Sequence, residues 1–455
     1  MWTPVLVEDA DTVSGRLLSA LRRDIAEGRL PPGEKLPPHR DLAHRLGIGI
    51  GTVTAVYGEA ARQGLVTATV GRGSFVADGT ATRANDGPIM LGQNVPTLGF
   101  AQRRFAQTFS KLRNRADLSD ALDYAPPAGH ERHRRLGAAW IRRTSAYRDA
   151  DHKRLIVTTG AQQAMTLALD TLCRPGDTIM TESASYFGVK SIAQVGGYRL
   201  QGLAMDEQGI IPSALDKAAA DGVKVLYTLP TLQNPTGRTM GIERRREIAK
   251  IARARDIWIV EDDIYSLYAL DTAPMPIAAL LPERSFYISG TSKSLAPGLR
   301  TGYLIAPTDD MLERMLRLIR ARIYAPATMG AMVASQWIED GTADEIVAEV
   351  LAEMLARNHM AIDALGTAAE TPADPHCPHI WLPLPELEAE RMAARAMRAG
   401  VELTPPSAPV IDADAISGVR LCLGGVADRE ILRSALNVVA AALRSEVSAH
   451  ASGVI

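Results

Sequence analysis

The sequence predicts an α/β body with a mostly parallel central sheet, preceded by a small head built as a winged helix-turn-helix. Two patterns carry this expectation. Beyond about residue 90, short apolar runs alternate with helical runs, the signature of crossover units that place helices on both faces of parallel strands. Ahead of them stand three short helical stretches punctuated by Gly and Pro, then two short strands about a GRG turn. A length of 455 residues exceeds the ~150 of one typical domain. A hydrophobic share of 46% with 22% charged residues excludes disordered and collagen-like classes. Lys and Arg number 50 against 52 Asp and Glu, a net charge of −2. No uncharged apolar stretch approaches the ~18 residues of a membrane span, and the start, MWTPVLVEDADTV, has no signal-like core. A cytoplasmic protein with no membrane partner is expected. Cys173, Cys377 and Cys422 are odd in number, far apart and lack CxxC spacing, so they read as buried thiols rather than disulfides or metal ligands.

The head takes its elements in order. Val13, Leu17, Leu21 and Ile25 recur every four residues, one apolar stripe on a first helix that Gly28 caps. A second helix in LPPHRDLAHRLG follows the prolines and stops at Gly47; a third, IGTVTAVYGEAARQG, stops at Gly64. LVTATV, GRG and SFVAD then give a hairpin wing. Between Arg29 and Arg72 six basic residues face three acidic ones, although residues 1–78 as a whole balance at nine and nine. From Asp78 to about Pro88, DGTATRANDGP has no apolar period and reads as a linker. The expected organisation is a head over 1–78, a linker over 79–89 and a body over 90–455.

In the body, RLIVTT, DTIMTE, VKVLYTLP, IWIVEDD, SFYISG and GYLIAP are the strands, and ligands of such sheets sit at strand carboxyl ends. Those ends carry Gly160 and Ala161 opening a helix, Tyr186, Asn234 in QNPTG, Asp262, and Lys293 in SGTSKSLAPGLR. These are the parts a pyridoxal 5′-phosphate site requires. An amine forms the Schiff base, a carboxylate keeps the ring nitrogen protonated, and a helix N-terminus with an Arg holds the phosphate.

Two family resemblances follow from these residues. The run DIAEGRLPPGEKLPPHRDLAHRLG with TVTAVYGEAARQGLV and GRGSFV resembles the winged-helix domain of GntR-type bacterial regulators. That resemblance implies contact with double-stranded promoter DNA through Arg40, Thr52 and the wing at Gly71, Arg72 and Gly73, with helix termini and Arg side chains on phosphates and the third helix in the major groove. Before the TV pair this chain has Gly49, Ile50 and Gly51, where such domains usually carry polar or basic residues.

From about residue 90 onward the order of motifs is similar to fold-type I aminotransferases. The resemblance implies Lys293 as the Schiff-base lysine, Asp262 on the ring nitrogen, and Asn234 and Tyr265 on the ring oxygen. It implies Gly160, Ala161 and Gln162 at the phosphate with Arg300, Tyr186 stacked on the ring, and Tyr124 reaching the phosphate of a second subunit in a homodimer. Arg420, in VRLCLG, matches the arginine that clamps a substrate carboxylate. Ala184 stands where the family typically has proline. Gly290 stands where a hydroxyl usually binds phosphate, for which Ser289, Thr291 or Ser292 can substitute. Head and body together resemble MocR-type transcriptional regulators, implying a regulator that senses an amino compound or pyridoxal 5′-phosphate. A working aminotransferase with an accessory DNA-binding head is the alternative, since Lys293, Asp262 and Arg420 are intact; a third is a DNA-binding protein whose cofactor is purely structural.

Overall fold

The computed structural model describes residues 2–6, 12–31, 33–62, 65–69, 73–77, 87–412 and 416–451, and the chain divides into two compact units, 1–86 and 87–455. In the first unit, α1 (Val13–Ala26) begins where the Thr12 hydroxyl accepts from the Gly15 amide at 3.1 Å and ends on Glu27, with Gly28 following. The apolar stripe starts one turn later than its spacing predicts. Val13 is 45% exposed while Leu17 and Leu21 are wholly buried, because the helix start projects past the small core.

Helix α2 (His39–Leu46) stops at Gly47, and α3 (Ile50–Arg62) follows almost at once. Leu42, Val53, Val56 and Tyr57 close the core with Leu17, Leu21 and Trp2, whose indole N–H donates to Asp24 at 2.7 Å. Strands β1 (Val66–Thr69) and β2 (Gly73–Val76) pair antiparallel, Val66 opposite Val76, and form the wing. The expected stop at Gly64, the wing tip and most of the linker lie outside the described residues.

The second unit is built on seven strands. They are β3 (Leu155–Thr158), β4 (Thr178–Glu182), β5 (Arg199–Leu203), β6 (Val225–Thr228), β7 (Trp258–Asp262), β8 (Ser285–Gly290) and β9 (Gly302–Ile305), ordered β3-β9-β8-β7-β6-β4-β5. The pairings from β8 through β5 are parallel, as the alternation of runs predicts; β9 runs antiparallel to both β8 and β3.

Strands such as β3, β6 and β8 are buried at every residue, which is why they read as continuous apolar runs. Successive residues feed opposite faces. Val225, Tyr227 and Val260 pack into the larger core with Ala164, Met165 and Ala168 of the helix Ala161–Leu172. Leu226 and Ile259 pack into the other, against Leu215, Ile248 and Ala252. At ~25 cal/mol per Å2 of apolar area, two such faces are the main source of the unit's stability. A separate antiparallel pair, β10 (His379–Pro383) with β11 (Gly418–Cys422), sets Trp381 opposite Arg420. All three cysteines are buried and free, as expected. No described helix is long and apolar enough to cross a membrane.

Candidate functional site

The carboxyl ends of the parallel strands converge on one cleft of about 360 Å3. After β3 the chain turns at Gly160 (φ 85°, ψ 167°) into the helix Ala161–Leu172, whose first amides have no partner within the helix. A Cβ at Gly160 would lie 2.6 Å from the Arg300 guanidinium, so only glycine lets the cation approach the turn; Arg300 donates to the Thr159 carbonyl at 3.1 Å. Tyr186 follows β4 and its hydroxyl donates to Gln162 at 3.3 Å. Ala161, Gln162, Tyr186, Asn234, Asp262, Tyr265, Lys293 and Arg300 all line this cleft.

Burial sets the electrostatics. Asp262, at the end of β7, is pushed up to about 7 chiefly by loss of water, opposed by the Tyr227 hydroxyl donating at 3.0 Å and the Ile264 amide at 3.3 Å. The Lys293 amine is pulled down to about 8, again chiefly by burial, with the Arg420 cation acting in the same direction and Cys422 and Asp262 against it. It donates to the main-chain carbonyl of Asn94. Burial also raises Tyr265 well above the ordinary phenol range.

Arg420, on β11, reaches this cluster from the other side. Its two Nη groups donate to Asn234 Oδ1 at 2.6 Å, and to the Gly92 carbonyl and the Thr404 hydroxyl at 2.9 Å each, while its buried Nε has no hydrogen-bond partner. Two residues that carry no sequence signal join it. The Asn94 side-chain amide lies 3.1 Å from the Tyr265 hydroxyl and 3.0 Å from His379 Nδ1, and His379 Nε2 lies 3.1 Å from the Gln233 carbonyl. A lone Asn and a lone His almost three hundred positions apart have neither motif nor period to betray them.

Several expected residues sit elsewhere. Of the three hydroxyls weighed as substitutes at Gly290, only Ser292 lines the cleft. Ser289 is a buried residue of β8, and the Thr291 hydroxyl is spent on the Thr301 carbonyl at 3.2 Å. The strand and its turn leave these two of the three alternatives facing protein. Tyr124 does not line its own chain's cleft; it is 77% exposed, its ring 4.7 Å from that of Tyr324. Ala184, at the family's proline position, is buried and its carbonyl accepts from Gln233 at 2.8 Å.

In the head, Arg40 is exposed on α2, Thr52 is half-buried in the first turn of α3, and Gly73 opens β2. Gly71 and Arg72 lie outside the described residues. Gly49, Ile50 and Gly51 are all exposed at the start of α3, so that end presents no hydrogen-bonding side chain before Thr52.

The residues present fit pyridoxal 5′-phosphate. A backbone turn without room for a Cβ beside a guanidinium suits a phosphate, a buried carboxylate suits a ring N–H, and the unpartnered Arg420 Nε suits an added anion.

Comparison with known proteins places these features in context. Residues 87–437 match the family model for aminotransferase class I and II, and residues 14–76 that for bacterial regulatory proteins of the gntR family. The HTH-type transcriptional regulator YdfD of Bacillus subtilis, itself uncharacterised, is 25% identical over 424 residues, 85% of this chain and 87% of that one. The HTH-type pyridoxine biosynthesis transcriptional regulator PdxR of Corynebacterium glutamicum is 27% identical over 329 residues, covering 69% and 70%. The crystal structure of an archaeal alanine:glyoxylate aminotransferase superposes with a TM-score of 0.73 at 23% identity, covering 81% of this chain and 94% of that one.

Proposed function

The chain belongs to the aminotransferase class I and II family, joined to a gntR-family head, and on that premise we propose a transcriptional regulator whose pyridoxal 5′-phosphate site serves as its sensor. The observation that carries this is the presence, in one chain, of a winged helix-turn-helix and a cleft lined by Lys293, Asp262, Tyr265 and Arg300. The head binds promoter DNA, with Arg40 on phosphate and the start of α3 in the major groove. The effector is an amino compound or the cofactor itself, and the regulator works as a cytoplasmic homodimer in which Tyr124 completes the partner's phosphate site.

When bound, the cofactor supplies an aldehyde for amines and a ring that accepts electrons. The chain's own residues do the rest. Gly160, Ala161 and Gln162 would offer main-chain amides to the phosphate, with Arg300 as the countercharge and Ser292 as a hydroxyl that lines the cleft. Asp262, which favours a proton when alone, holds one at the ring nitrogen. Lys293, brought down to about 8, is neutral in a usable fraction near neutral pH and so is nucleophilic. Arg420 keeps its Nε for the carboxylate of an incoming amino acid, and Tyr186 covers the ring.

The second reading, a working aminotransferase with an accessory head, draws on Lys293 and Asp262 lining one cleft and on Arg420 bonded to Asn234 in its wall. One experiment separates the two. Holoprotein is mixed with a panel of amino acids and 2-oxo acids while turnover and promoter affinity are followed together. A regulator changes promoter affinity with little turnover; steady turnover without any effect on promoter affinity selects the enzyme. Arg40→Ala should weaken promoter binding and leave the cofactor spectrum intact, and binding should fall steeply with salt.

A further inference from the structure

The Tyr265 hydroxyl oxygen in the cleft wall meets two side-chain amides, Asn94 Nδ2 at 3.1 Å and Asn234 Nδ2 at 3.4 Å. Shape alone does not distinguish the two ends of an amide; hydrogen-bond partners do. At Asn234 the partner is Arg420, whose Nη1 lies 2.6 Å from Oδ1. A guanidinium only donates, so that oxygen accepts and the NH2 end faces Tyr265.

At Asn94 the orientation is set two residues away. The Gln233 main-chain carbonyl only accepts, so the His379 Nε2 at 3.1 Å carries a hydrogen. His379 is wholly buried, with the Arg420 and Lys293 cations near it, and burial first, then those charges, pull it down to about 3. The ring is therefore neutral, and its one proton is spent on Nε2. Its Nδ1 is a bare acceptor, and the Asn94 group 3.0 Å from it must be NH2. The Cys377 thiol, 3.8 Å from the same Nδ1 and pushed up to about 12 by burial, stays protonated and adds a weak second donor. Asn94 Oδ1 then points away from both groups and is buried without a partner, a cost that this orientation carries. Both lone pairs of the Tyr265 oxygen are then taken by amide hydrogens, and its own proton is the one bond it has left to give.

We propose that His379 and Asn94 are positioning residues that, with Asn234, make the Tyr265 hydroxyl an obligate donor toward an acceptor oxygen in the cleft. The proposal rests on the reading that pyridoxal 5′-phosphate binds there, but its first link is testable without the cofactor. The chain from Gln233 to Tyr265 works by elimination, each acceptor forcing the next group to be a donor.

Two measurements decide it. In the full cofactor-free chain, a two-bond 15N–1H imidazole spectrum, with the His379 signal assigned by its loss in His379→Gln, should show a neutral ring protonated on Nε2 throughout pH 5 to 8. A cationic ring or a proton on Nδ1 overturns the proposal. In the holoprotein, Asn94→Asp replaces the amide by an isosteric acceptor and turns the Tyr265 proton away from the cleft. The pH midpoint of the cofactor's visible absorbance should rise by about one unit, a tenfold change, because an oxygen that loses its donor leaves a neighbouring proton more tightly held. Asn94→Ala, which removes one incoming bond but leaves the hydroxyl proton free, should move it by less than half as much. An unmoved midpoint in Asn94→Asp with a lowered melting temperature means that Asn94 only packs, and the proposal falls. If that variant does not fold, the His379 tautomer in the unaltered chain decides the matter. Absence of a visible band in the wild-type protein loaded with cofactor would sink the cofactor reading and leave the tautomer result standing by itself.

Discussion

Replacing Asp262 by asparagine should make the cofactor-free protein more stable at pH 8 and the cofactor-loaded protein weaker, a reversal that a merely structural carboxylate would not produce. Burial raises this carboxyl from 3.8 to about 7. At ~1.36 kcal/mol per tenfold in proton affinity, that difference is worth roughly 4 kcal/mol. The folded chain holds the proton more tightly than the unfolded one. Its contribution is therefore present in full below about pH 4 and is lost as pH rises through about 7, with roughly 3 kcal/mol of it lost between pH 5 and pH 8.

An amide in place of the carboxyl has no charge to bury, so Asp262→Asn escapes that loss. The variant gives up one bond, since a single oxygen cannot serve both the Tyr227 hydroxyl and the Ile264 amide as well as two do, at about 1 kcal/mol. Glu261 and Asp263, also raised by burial, titrate in both proteins, so the difference between variant and wild type reads the carboxyl of Asp262 together with its repulsion by Asp263. Urea midpoints of the body's transition at pH 5 and pH 8, without cofactor, should show the variant gaining roughly 3 kcal/mol on wild type across that interval. Adding pyridoxal 5′-phosphate should then stabilise wild type more than the variant. Parallel stability curves for the two proteins across pH 5 to 8 would refute the reasoning.

Three other outcomes follow from the same cleft. Lys293→Ala should abolish borohydride-fixed attachment of the cofactor, read by intact mass; an adduct that persists would place the reactive amine elsewhere. Gly160→Ala forces a positive φ on a residue with a Cβ and pushes the Arg300 guanidinium away, so cofactor affinity should fall more than tenfold by fluorescence titration. Arg420→Ala removes charge-assisted bonds of ~1.5 to 3 kcal/mol, so a carboxylate-bearing amino compound should bind about 10- to 100-fold more weakly while the protein keeps its colour; equal binding of that compound would discard the clamp.

How much of this was legible in the sequence depends on whether a residue announces itself locally. Lys293, Asp262 and Gly160 stand at strand ends inside short motifs, and strand ends are where the topology gathers chemistry, so order along the chain sufficed. The direction of β9 was not legible, because GYLIAP has the same apolar run whether it lies parallel or antiparallel. Which of Ser289, Thr291 and Ser292 lines the cleft was not legible for a related reason. A strand buried on both faces shows no alternation, so its residues give no hint of which ones look into the cleft. Asn94 and His379 were invisible because each acquires meaning only from the other, and they meet across nearly the whole body.

The antiparallel strand also imposes an order in time. Within the sheet β3 pairs only with β9, so Leu155–Thr158, a wholly buried strand, has no strand neighbour until residues nearly a third of the chain later have been synthesised. At ~5 to 20 residues per second that interval lasts several seconds or more, and pairings of such long sequence separation are slow to nucleate. A Cβ on Gly302 would sit 2.5 Å from the main-chain carbon of Gly160, so this pairing also seats the turn that Arg300 must meet. The turn at Gly160 and its contact with Arg300 are thus completed late in synthesis, and retention of added pyridoxal 5′-phosphate by a nascent chain should begin only once β9 has joined the sheet.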